Sequence, residues 1–388
     1  MKNIVKTLSL QKAEAADQAA ISRLLALGFG FGGQRATEYI GHMGIASFRL
    51  LRNDAGETIA CAALPDTAHL FFGAAVPAAN ICHVAIAPQA RGHGLARPLM
   101  EALCDEARQR GAFMVSLFAS ARPVYRKCGF ELAGNEVVYE AEAAALPAGS
   151  RVAFRSLMLE DDRIKAAYNE KTAVEIGLLQ RTNVHWAEVI RAPKHALAAF
   201  GVGDGRLQAY VIVDSSDANC LDIRDWYAED GEMAEAVLCF IGRFASVFPK
   251  VRWHGAPEDD LVGAMPDKGW RLVHQEEWLA RILEPASALG RRRYRIRSAE
   301  IGIRVADSDG IDTEIRLEIA SGKATATAGL TGGVPTVTVD KLAFTSLFTG
   351  FRSASTLARR GNLFGDPDVV QLCDLVFTGP RPWVAEHF

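Results

Sequence analysis

VAIAPQARGHGLARPLM, residues 84–100, is the stretch that decides the fold of the first part of the chain. Its apolar start predicts a buried strand that ends at Pro88, and the spacing of its last residues predicts an amphipathic helix. Gly92 and Gly94 lie between them. Glycines at the head of a helix let a ligand approach the backbone, where free N–H groups and the helix dipole favour phosphate. The stretch therefore predicts a turn that holds a pyrophosphate.

The two commonest phosphate-binding loops do not fit this turn. No Gly-Lys-Ser/Thr follows, as a P-loop requires, and a dinucleotide-binding loop needs a third glycine and a later acidic residue that are not evident. A plain strand–helix turn that binds nothing remains the alternative for residues 89–94.

Composition indicates a multidomain globular protein. A chain of 388 residues is too long for one core, so two or three domains of roughly 100–150 residues are expected. The formal net charge of −3 favours neither nucleic acid nor an anionic membrane as a partner. We interpret the one basic run, residues 290–297, as the solvated start of a strand.

The cysteines indicate a reducing compartment. All seven are scattered and none forms a CxxC pair, which favours free thiols over disulfides or a zinc site. No set of His, Cys, Asp and Glu has metal-ligand spacing, so no metal is expected. The start of the chain lacks a signal-peptide core and no apolar stretch could span a membrane. These features predict a cytoplasmic protein.

The order of patterns along the chain predicts three domains. Strands and helices alternate up to a small-residue linker at about residues 140–150, and a similar order of helix, hairpin, strand and helix follows. From about residue 290, strands and then helices predict a small α+β domain. The expected fold is α/β (α+β), with mixed sheets, and the expected domains are 1–145, 146–288 and 289–388.

The motifs resemble those of a known enzyme class. The Q-x-x-G-x-G spacing of residues 89–94 resembles the acyl-CoA signature of the GNAT N-acetyltransferases. Some thirty residues on, SLFASARPVYRKCGFEL carries the tyrosine and the Gly-Phe pair found there in GNAT enzymes, here Tyr125, Gly129 and Phe130. The resemblance implies acetyl-CoA as co-substrate and a GNAT-type fold for both large domains.

The whole chain resembles the Eis (enhanced intracellular survival) family. It shares the two GNAT-like segments, a small C-terminal domain and a tail of the Pro-Trp-…-Phe type, here Pro382, Trp383 and Phe388. The resemblance implies a sterol-carrier-protein-like third domain, assembly as a homo-oligomer that could be a hexamer, and acetylation of amines, including those of aminoglycosides. It also implies that Tyr125 is the catalytic acid and that the terminal carboxylate of Phe388 is the base.

The same resemblance places the co-substrate. The strand residues would offer N–H groups to the oxyanion and the turn would hold the pyrophosphate. The expected acetyl-CoA-binding residues are Val84, Ala85, Ile86, Gln89, Arg91, Gly92, His93, Gly94, Leu95, Ala96, Arg97, Ser120 and Ala121.

Simple chemistry supports the two catalytic roles. A free α-carboxylate is ionised at neutral pH, whereas an alkylammonium must lose a proton before it attacks. A tyrosine keeps its proton at pH 7 and can give it to a departing thiolate. The alternatives are a core position for Tyr125 and a solvent-exposed chain end. His387 is expected at the rim, and His93 is expected to act through its backbone.

The second segment is expected to bind no CoA. Its strand runs into Glu229, Asp230 and Glu232, where a pyrophosphate would be repelled. The natural acceptor is left open. Glu386 and, more weakly, Glu38 could make a pocket acidic, but the region with Phe29, Phe31 and Tyr39 is apolar, so a small amine, a polyamine or a protein lysine fits as well as an aminoglycoside.

Two other functions are compatible with such a fold. One is a protein that binds acyl-CoA or a lipid without catalysis, which the joint presence of the turn, Tyr125 and the terminal carboxylate disfavours. The other is an aminoacyl transferase that uses aminoacyl-tRNA, which the net acidity and the lack of a basic, aromatic surface disfavour.

Overall fold

The computed structural model describes residues 10–191, 193, 195–307, 310 and 312–388. Within these residues no helix is long and apolar enough to cross a membrane. The described strands form three sheets: a four-stranded sheet, a large mixed sheet shared by the first two segments, and a five-stranded sheet in the third.

The first segment forms a mixed α/β unit. Its elements are β1 (Leu10–Lys12), α1 (Gln18–Phe29), α2 (Gly33–Met43), β2 (Phe48–Arg52), β3 (Thr58–Ala63), β4 (Asp66–Phe71), β5 (Ala74–Asn80), β6 (Cys82–Ile86), α3 (Ala96–Gln109), β7 (Met114–Phe118), α4 (Arg122–Arg126) and β8 (Glu131–Glu142). The apolar face of α3 is buried as predicted, with Leu99, Leu103 and Ala107 in the core.

The β2–β3 hairpin shows why the sequence turns where it does. The side-chain oxygen of Asn53 accepts hydrogen bonds from the backbone N–H groups of Ala55 and Glu57, at 3.1 and 2.9 Å. Gly56 has φ of 79°, a conformation that glycine adopts without strain. An asparagine followed by a glycine three residues later thus makes the chain reverse here.

The second segment completes the large sheet. Its elements are β9 (Arg155–Leu157), α5 (Asp162–Thr172), β10 (Ile176–Leu179), α6 (Asn183–Val189), β11 (Leu197–Val202), β12 (Ala209–Asp217), β13 (Cys220–Ala228), α7 (Gly231–Gly242), β14 (Lys250–His254), α8 (Asp260–Gly263) and β15 (Trp270–Ile282). The strand order is β10-β4-β5-β7-β15-β8-β14-β13-β12-β11-β9. Because β10 pairs with β4 and β15 lies between β7 and β8, strands of the two segments alternate in one sheet.

The third segment is an α+β unit that has its own sheet and shares a hydrophobic core with the large sheet. Its elements are α9 (Pro285–Arg291), β16 (Ser298–Ala306), β17 (Thr313–Ala320), β18 (Lys323–Ala328), β19 (Thr336–Asp340), α10 (Lys341–Thr349), α11 (Ala354–Arg359), β20 (Leu363–Phe364), α12 (Pro367–Phe377) and β21 (Trp383–Val384). The last strand, β21, leaves this unit and pairs in parallel with β8 of the large sheet.

Two expectations need correction. The linker placed at residues 140–150 begins later, because β8 continues to Glu142, where Glu142 pairs with Lys250 of β14. The basic run at residues 290–297 is not all solvated. Arg292 is 1% exposed, its guanidinium lies over the rings of Phe71 and Tyr294, and it donates a hydrogen bond to the carbonyl of Phe348. Cation–π contacts of this kind offset part of the cost of burying a guanidinium.

Candidate active site

A split between two strands forms the centre of the site. Up to Asn80 the chain runs in β5, parallel to β7, and the N–H of Ile81 still donates to the carbonyl of Ser116 at 2.8 Å. The chain then changes partner, because β6 pairs antiparallel with β3. His83, at the change, has φ of 50°, which is unusual for a residue other than glycine. The result is a gap between β6 and β7.

The N–H groups of β6 alternate between β3 and this gap. The N–H of Ala87, just beyond β6, donates to the carbonyl of Ile59 in β3 at 2.8 Å. Since alternate residues of a strand point their N–H groups to the same side, those of Val84 and Ile86 point away from β3. Two of the three strand residues predicted to serve the oxyanion thus turn their donors toward the gap, and Ala85 turns its donor away.

The turn after β6 is open to a ligand. Gly92 and Gly94 have φ of 78° and 76°, and a Cβ at either position would meet no heavy atom within 4 Å. The backbone conformation, rather than crowding, therefore favours glycine here. Among the described residues, the N–H groups of Gly92, His93, Gly94 and Leu95 have no backbone acceptor. These donors, at the head of α3, are suited to an anion.

The side chains of the turn lie away from these donors. The Arg91 Nε donates to the carbonyl of Ile86 at 2.9 Å, and a ring nitrogen of His93 lies 2.9 Å from the carbonyl of Arg91. Gln89 and Arg97 are exposed, Ala96 is half-buried and Leu95 is buried. The backbone N–H groups of residues 92–95 are therefore the free donors of this turn, and the role predicted for His93 stays a prediction.

Tyr125 lies on α4, which follows β7. Burial raises the pKa of Tyr125, and a hydrogen bond with Ser120 offsets part of that rise. The hydroxyl therefore keeps its proton at neutral pH, as a general acid must. Ser120 and Ala121 are exposed at the start of α4. Tyr125 is half-buried against the core of the first domain, and Phe388 packs on the same core.

The chain end is held in place. The carbonyl of Pro382 accepts from the N–H of Asn135 at 3.0 Å, and β21 continues the pairing with β8. Trp383 is 1% exposed, and its indole N–H donates to Glu175 at 3.1 Å. Paired backbone and a buried anchor side chain order this terminus, whereas most termini are frayed.

The last two residues lie at the carboxyl end of β7. The ring of Phe388 is 4.9 Å from the ring of Phe118 and 6.0 Å from that of His69, between centroids. The imidazole of His387 stacks on Phe118 at 4.1 Å, and its Nδ1 donates to Glu136 at 2.7 Å. The terminal residue is thus brought beside the strand that borders the gap.

The acidic residues proposed for the acceptor pocket are engaged elsewhere. Glu386 accepts from Arg181 at 2.6 Å, and the Arg181 side chain, 2% exposed, also pairs with Asp225. Glu38 is exposed and accepts from Gln34 at 2.9 Å. The guanidinium of Arg181 therefore offsets part of the charge of Glu386, whereas the neutral amide of Gln34 leaves the charge of Glu38 in place.

Aromatic side chains surround His83 on the side of α1 and α2. The His83 ring lies 4.9 Å from Phe29, 5.2 Å from Phe31 and 4.3 Å from Tyr39, between centroids. Burial lowers the pKa of His83 to about 4, so this imidazole is neutral. The apolar character predicted for this region is confirmed. His83 is the residue whose place the sequence did not reveal, since only a structure shows the partner change of the strand.

Comparisons with known proteins agree with this geometry. Residues 10–133 match the acetyltransferase (GNAT) domain family Acetyltransf_9, residues 177–282 match a second acetyltransferase (GNAT) domain family, Acetyltransf_17, and residues 285–385 match the sterol carrier protein domain SCP2_2. An uncharacterized N-acetyltransferase of Streptomyces griseus is 27% identical over 370 residues, covering 81% of this chain and 83% of that protein.

Solved structures show the same fold. A GCN5-related N-acetyltransferase from Anabaena variabilis superposes with a TM-score of 0.90 at 24% identity, over 98% of this chain and 100% of that one. Eis1 from Mycobacterium abscessus superposes with a TM-score of 0.75 at 20% identity, over 98% of this chain and 100% of Eis1.

The chain is a GNAT-type acyltransferase. It consists of two GNAT domains followed by a sterol carrier protein domain, the arrangement expected from the Eis family, and the predicted fold class and resemblance are confirmed.

Proposed function

We propose that this protein moves the acetyl group of acetyl-CoA to a primary amine by direct attack, with Tyr125 as acid and the Phe388 carboxylate as base. The observation that supports the proposal is that three features lie on the two strands that border one gap or directly follow them. The open turn at residues 92–95 borders it from β6, Tyr125 follows β7, and the tail lies against Phe118 at the end of β7.

The first domain, residues 1–145, supplies the co-substrate site. The free N–H groups of Gly92 to Leu95 would hold the pyrophosphate, and the exposed side chains of Arg97 and Ser120 would contact the rest of the molecule. The N–H groups of Val84 and Ile86 would stabilise the oxyanion as the amine attacks the thioester carbonyl.

The proton steps then balance. The Phe388 carboxylate takes one proton from the ammonium, directly or through water, and frees the lone pair that attacks. When the C–S bond breaks, the hydroxyl of Tyr125 gives its proton to the departing thiolate. The nitrogen, which becomes positively charged on attack, would give up a second proton through water to the tyrosinate and restore Tyr125. The products are the acetylated amine and CoA, and the proton held by Phe388 would leave to solvent after each turnover.

The other two domains serve the first in this proposal. The second, residues 146–288, would bind no CoA and would complete the shared sheet. The third, residues 289–388, would deliver the chain end. By the Eis resemblance we also propose that the protein assembles as a homo-oligomer, with a hexamer as the expected form. Light scattering on the purified protein measures the mass of the assembly directly.

The surroundings favour a small amine, a polyamine or a lysine over an aminoglycoside. A cavity of about 440 Å³ lies beside Ala385, and side chains of both signs line it, among them Glu140 and Arg252. Glu386 and Asp225 share the one guanidinium of Arg181, so a single excess negative charge is left there, which is little for a polycation.

The test is release of CoA from acetyl-CoA with a panel of monoamines, polyamines and aminoglycosides. The native protein is compared with one that carries a few residues after Phe388, and with one that carries the same residues before Met1. Turnover that only the C-terminal extension abolishes, while acetyl-CoA binding by calorimetry persists, supports both the enzyme and its base. Equal turnover in all three forms would exclude the Phe388 carboxylate as the base. Binding of acetyl-CoA without turnover of any amine would favour a non-catalytic binding protein.

A further inference from the structure

Glu136 carries a buried carboxylate. Within the part of the chain that the structure describes, its ion-pair partners are all imidazoles. Its side chain is 5% exposed. The Nδ1 of His387 is 2.7 Å from it, the Nδ1 of His254 is 3.6 Å away and the Nε2 of His274 is 3.9 Å away. An imidazole carries a charge only when it is protonated, so none of these three partners is a permanent cation.

Glu140 provides the contrast on the same face of the same strand. Its side chain is 8% exposed, and it pairs with Lys250 at 2.9 Å, Arg271 at 2.5 Å and Arg252 at 3.6 Å. Buried charges in proteins are paired or bind metals, because an isolated charge is costly away from water. Glu140 is paired with permanent cations, whereas Glu136 is surrounded by side chains that could bind a metal ion with it.

Strand register places two of these ligands beside Glu136. Glu276 of β15 is directly opposite Glu136 of β8. His274 is two residues earlier on β15 and therefore on the same face. The His274 Nε2 is 3.7 Å from the nearer Glu276 oxygen, and one ligand atom from each of the three residues lies within 4.8 Å of the others.

We propose that Glu136, His274 and Glu276 bind one divalent transition-metal ion such as Zn²⁺. Imidazole nitrogen and carboxylate oxygen are ligands that bind zinc at about 2.0–2.2 Å. The three ligand atoms, which lie within 4.8 Å of one another, would draw closer by side-chain rotation as the ion binds. The side chains of His274 and Glu276 are 47% and 36% exposed, so an ion and a completing water molecule can reach the site.

The proposed ion would be linked to the C-terminal segment through the hydrogen bond between Glu136 and His387. His387 donates to the same Glu136 oxygen that faces His274, and hydrogen bonds to a ligating carboxylate fix its orientation. A bound ion would thus hold Glu136 and His387 together, next to Phe388. The sequence spacing predicted no metal, and this proposal replaces that prediction, because the ligands come from strands that are far apart along the chain.

The test uses the full chain, stripped with a chelator and free of acetyl-CoA, so its result does not depend on acetyl transfer. Zn²⁺ binding is measured by calorimetry and Co²⁺ binding by visible absorption. We expect one equivalent, with the affinity lowered by about tenfold or more in Glu136→Gln, His274→Ala and Glu276→Gln. His195→Ala, which removes an exposed histidine outside the cluster, should bind as the parent does.

Two results would overturn the proposal: no saturable binding to the parent, or unchanged affinity in His274→Ala and Glu276→Gln. These two variants keep the test decisive if Glu136→Gln disturbs folding, because both positions are partly exposed. Their melting temperatures without metal are the check that the fold is intact.

Discussion

The two GNAT domains connect strand to helix in different ways. In the first, β6 ends at Ile86 and α3 begins at Ala96, and the intervening residues form an open turn. In the second, β13 ends at Ala228 and α7 begins at Gly231, so only two residues separate them. The same strand–helix connection is thus a loop large enough for a ligand in the first domain and a tight two-residue turn in the second.

The caps differ with the loops. The Asp230 side chain accepts from the N–H of Met233 at 2.9 Å and satisfies the head of α7. The residue at that position of α3, Leu95, makes no side-chain cap. A helix that caps itself with a carboxylate has used the donors that an anion would need and adds a repelling charge. An uncapped helix behind two glycines leaves its donors to a ligand. Glu229 was predicted from the sequence to add a further repelling charge. The structure pairs it with Arg206, which offsets that charge.

The largest effect should come from the acid. Tyr125→Phe should lower kcat by about 10²–10⁴-fold, because the thiolate then leaves without a proton, while acetyl-CoA binding persists. The matched control is Tyr227→Phe, which removes one hydroxyl from β13 of the second domain and should leave kcat unchanged. Steady-state CoA release measures both. A Tyr125→Phe enzyme with parental kcat would exclude Tyr125 as the acid.

Another comparison concerns the buried cap of the short helix α8. The Asp259 side chain accepts from the Trp253 indole and from the N–H of Val262, at 3.0 and 3.1 Å. Burial raises the pKa of Asp259 to about 6, so the stability that its neutral form provides is present below about pH 4 and is lost as the pH rises through about 6.

Asp259→Asn keeps the accepting oxygen without the charge. Relative to the parent, the variant should therefore gain about 2 kcal/mol of stability between pH 4 and pH 7. Urea unfolding of both proteins at the two pH values measures the change. An equal difference at both values would mean that Asp259 titrates normally.

A side chain at Gly92 would obstruct the open turn between β6 and α3. Gly92→Ala places a side chain where φ is 78° and where the pyrophosphate would lie, and should weaken acetyl-CoA binding by about tenfold. Gly56→Ala, with φ of 79° in the β2–β3 turn, imposes the same strain away from the site. Calorimetry should show unchanged affinity for the control, and similar losses in both would trace the effect to stability alone.

The smallest effect on stability is expected from removing the cap of α7 in the second domain. Asp230→Ala should cost about 1 kcal/mol of stability, since α7 loses its cap. Acetyl-CoA should still bind with one equivalent per chain, because the two-residue connection leaves no space for it. A second equivalent in this variant would show that the cap, rather than the short connection, excludes the ligand.

Local patterns predicted much of this molecule. The β2–β3 turn, the apolar face of α3, the order of domains and the open turn at Gly92 and Gly94 all follow from residues that are near one another in the sequence. The buried Arg292 was mispredicted, because a run of basic residues gives no sign of the aromatic rings of Phe71 and Phe348 that enclose it.

The sequence by itself determined the class of the protein, since the glycine spacing, the tyrosine and the tail are short-range features whose chemistry depends on residue type. Tertiary structure alone decided the rest. It placed β15 between β7 and β8, brought Phe388 beside Phe118, and gathered Glu136, His274 and Glu276 on one face. The physical reason is that strand pairing joins residues distant along the chain, and its register follows from packing that no local pattern records.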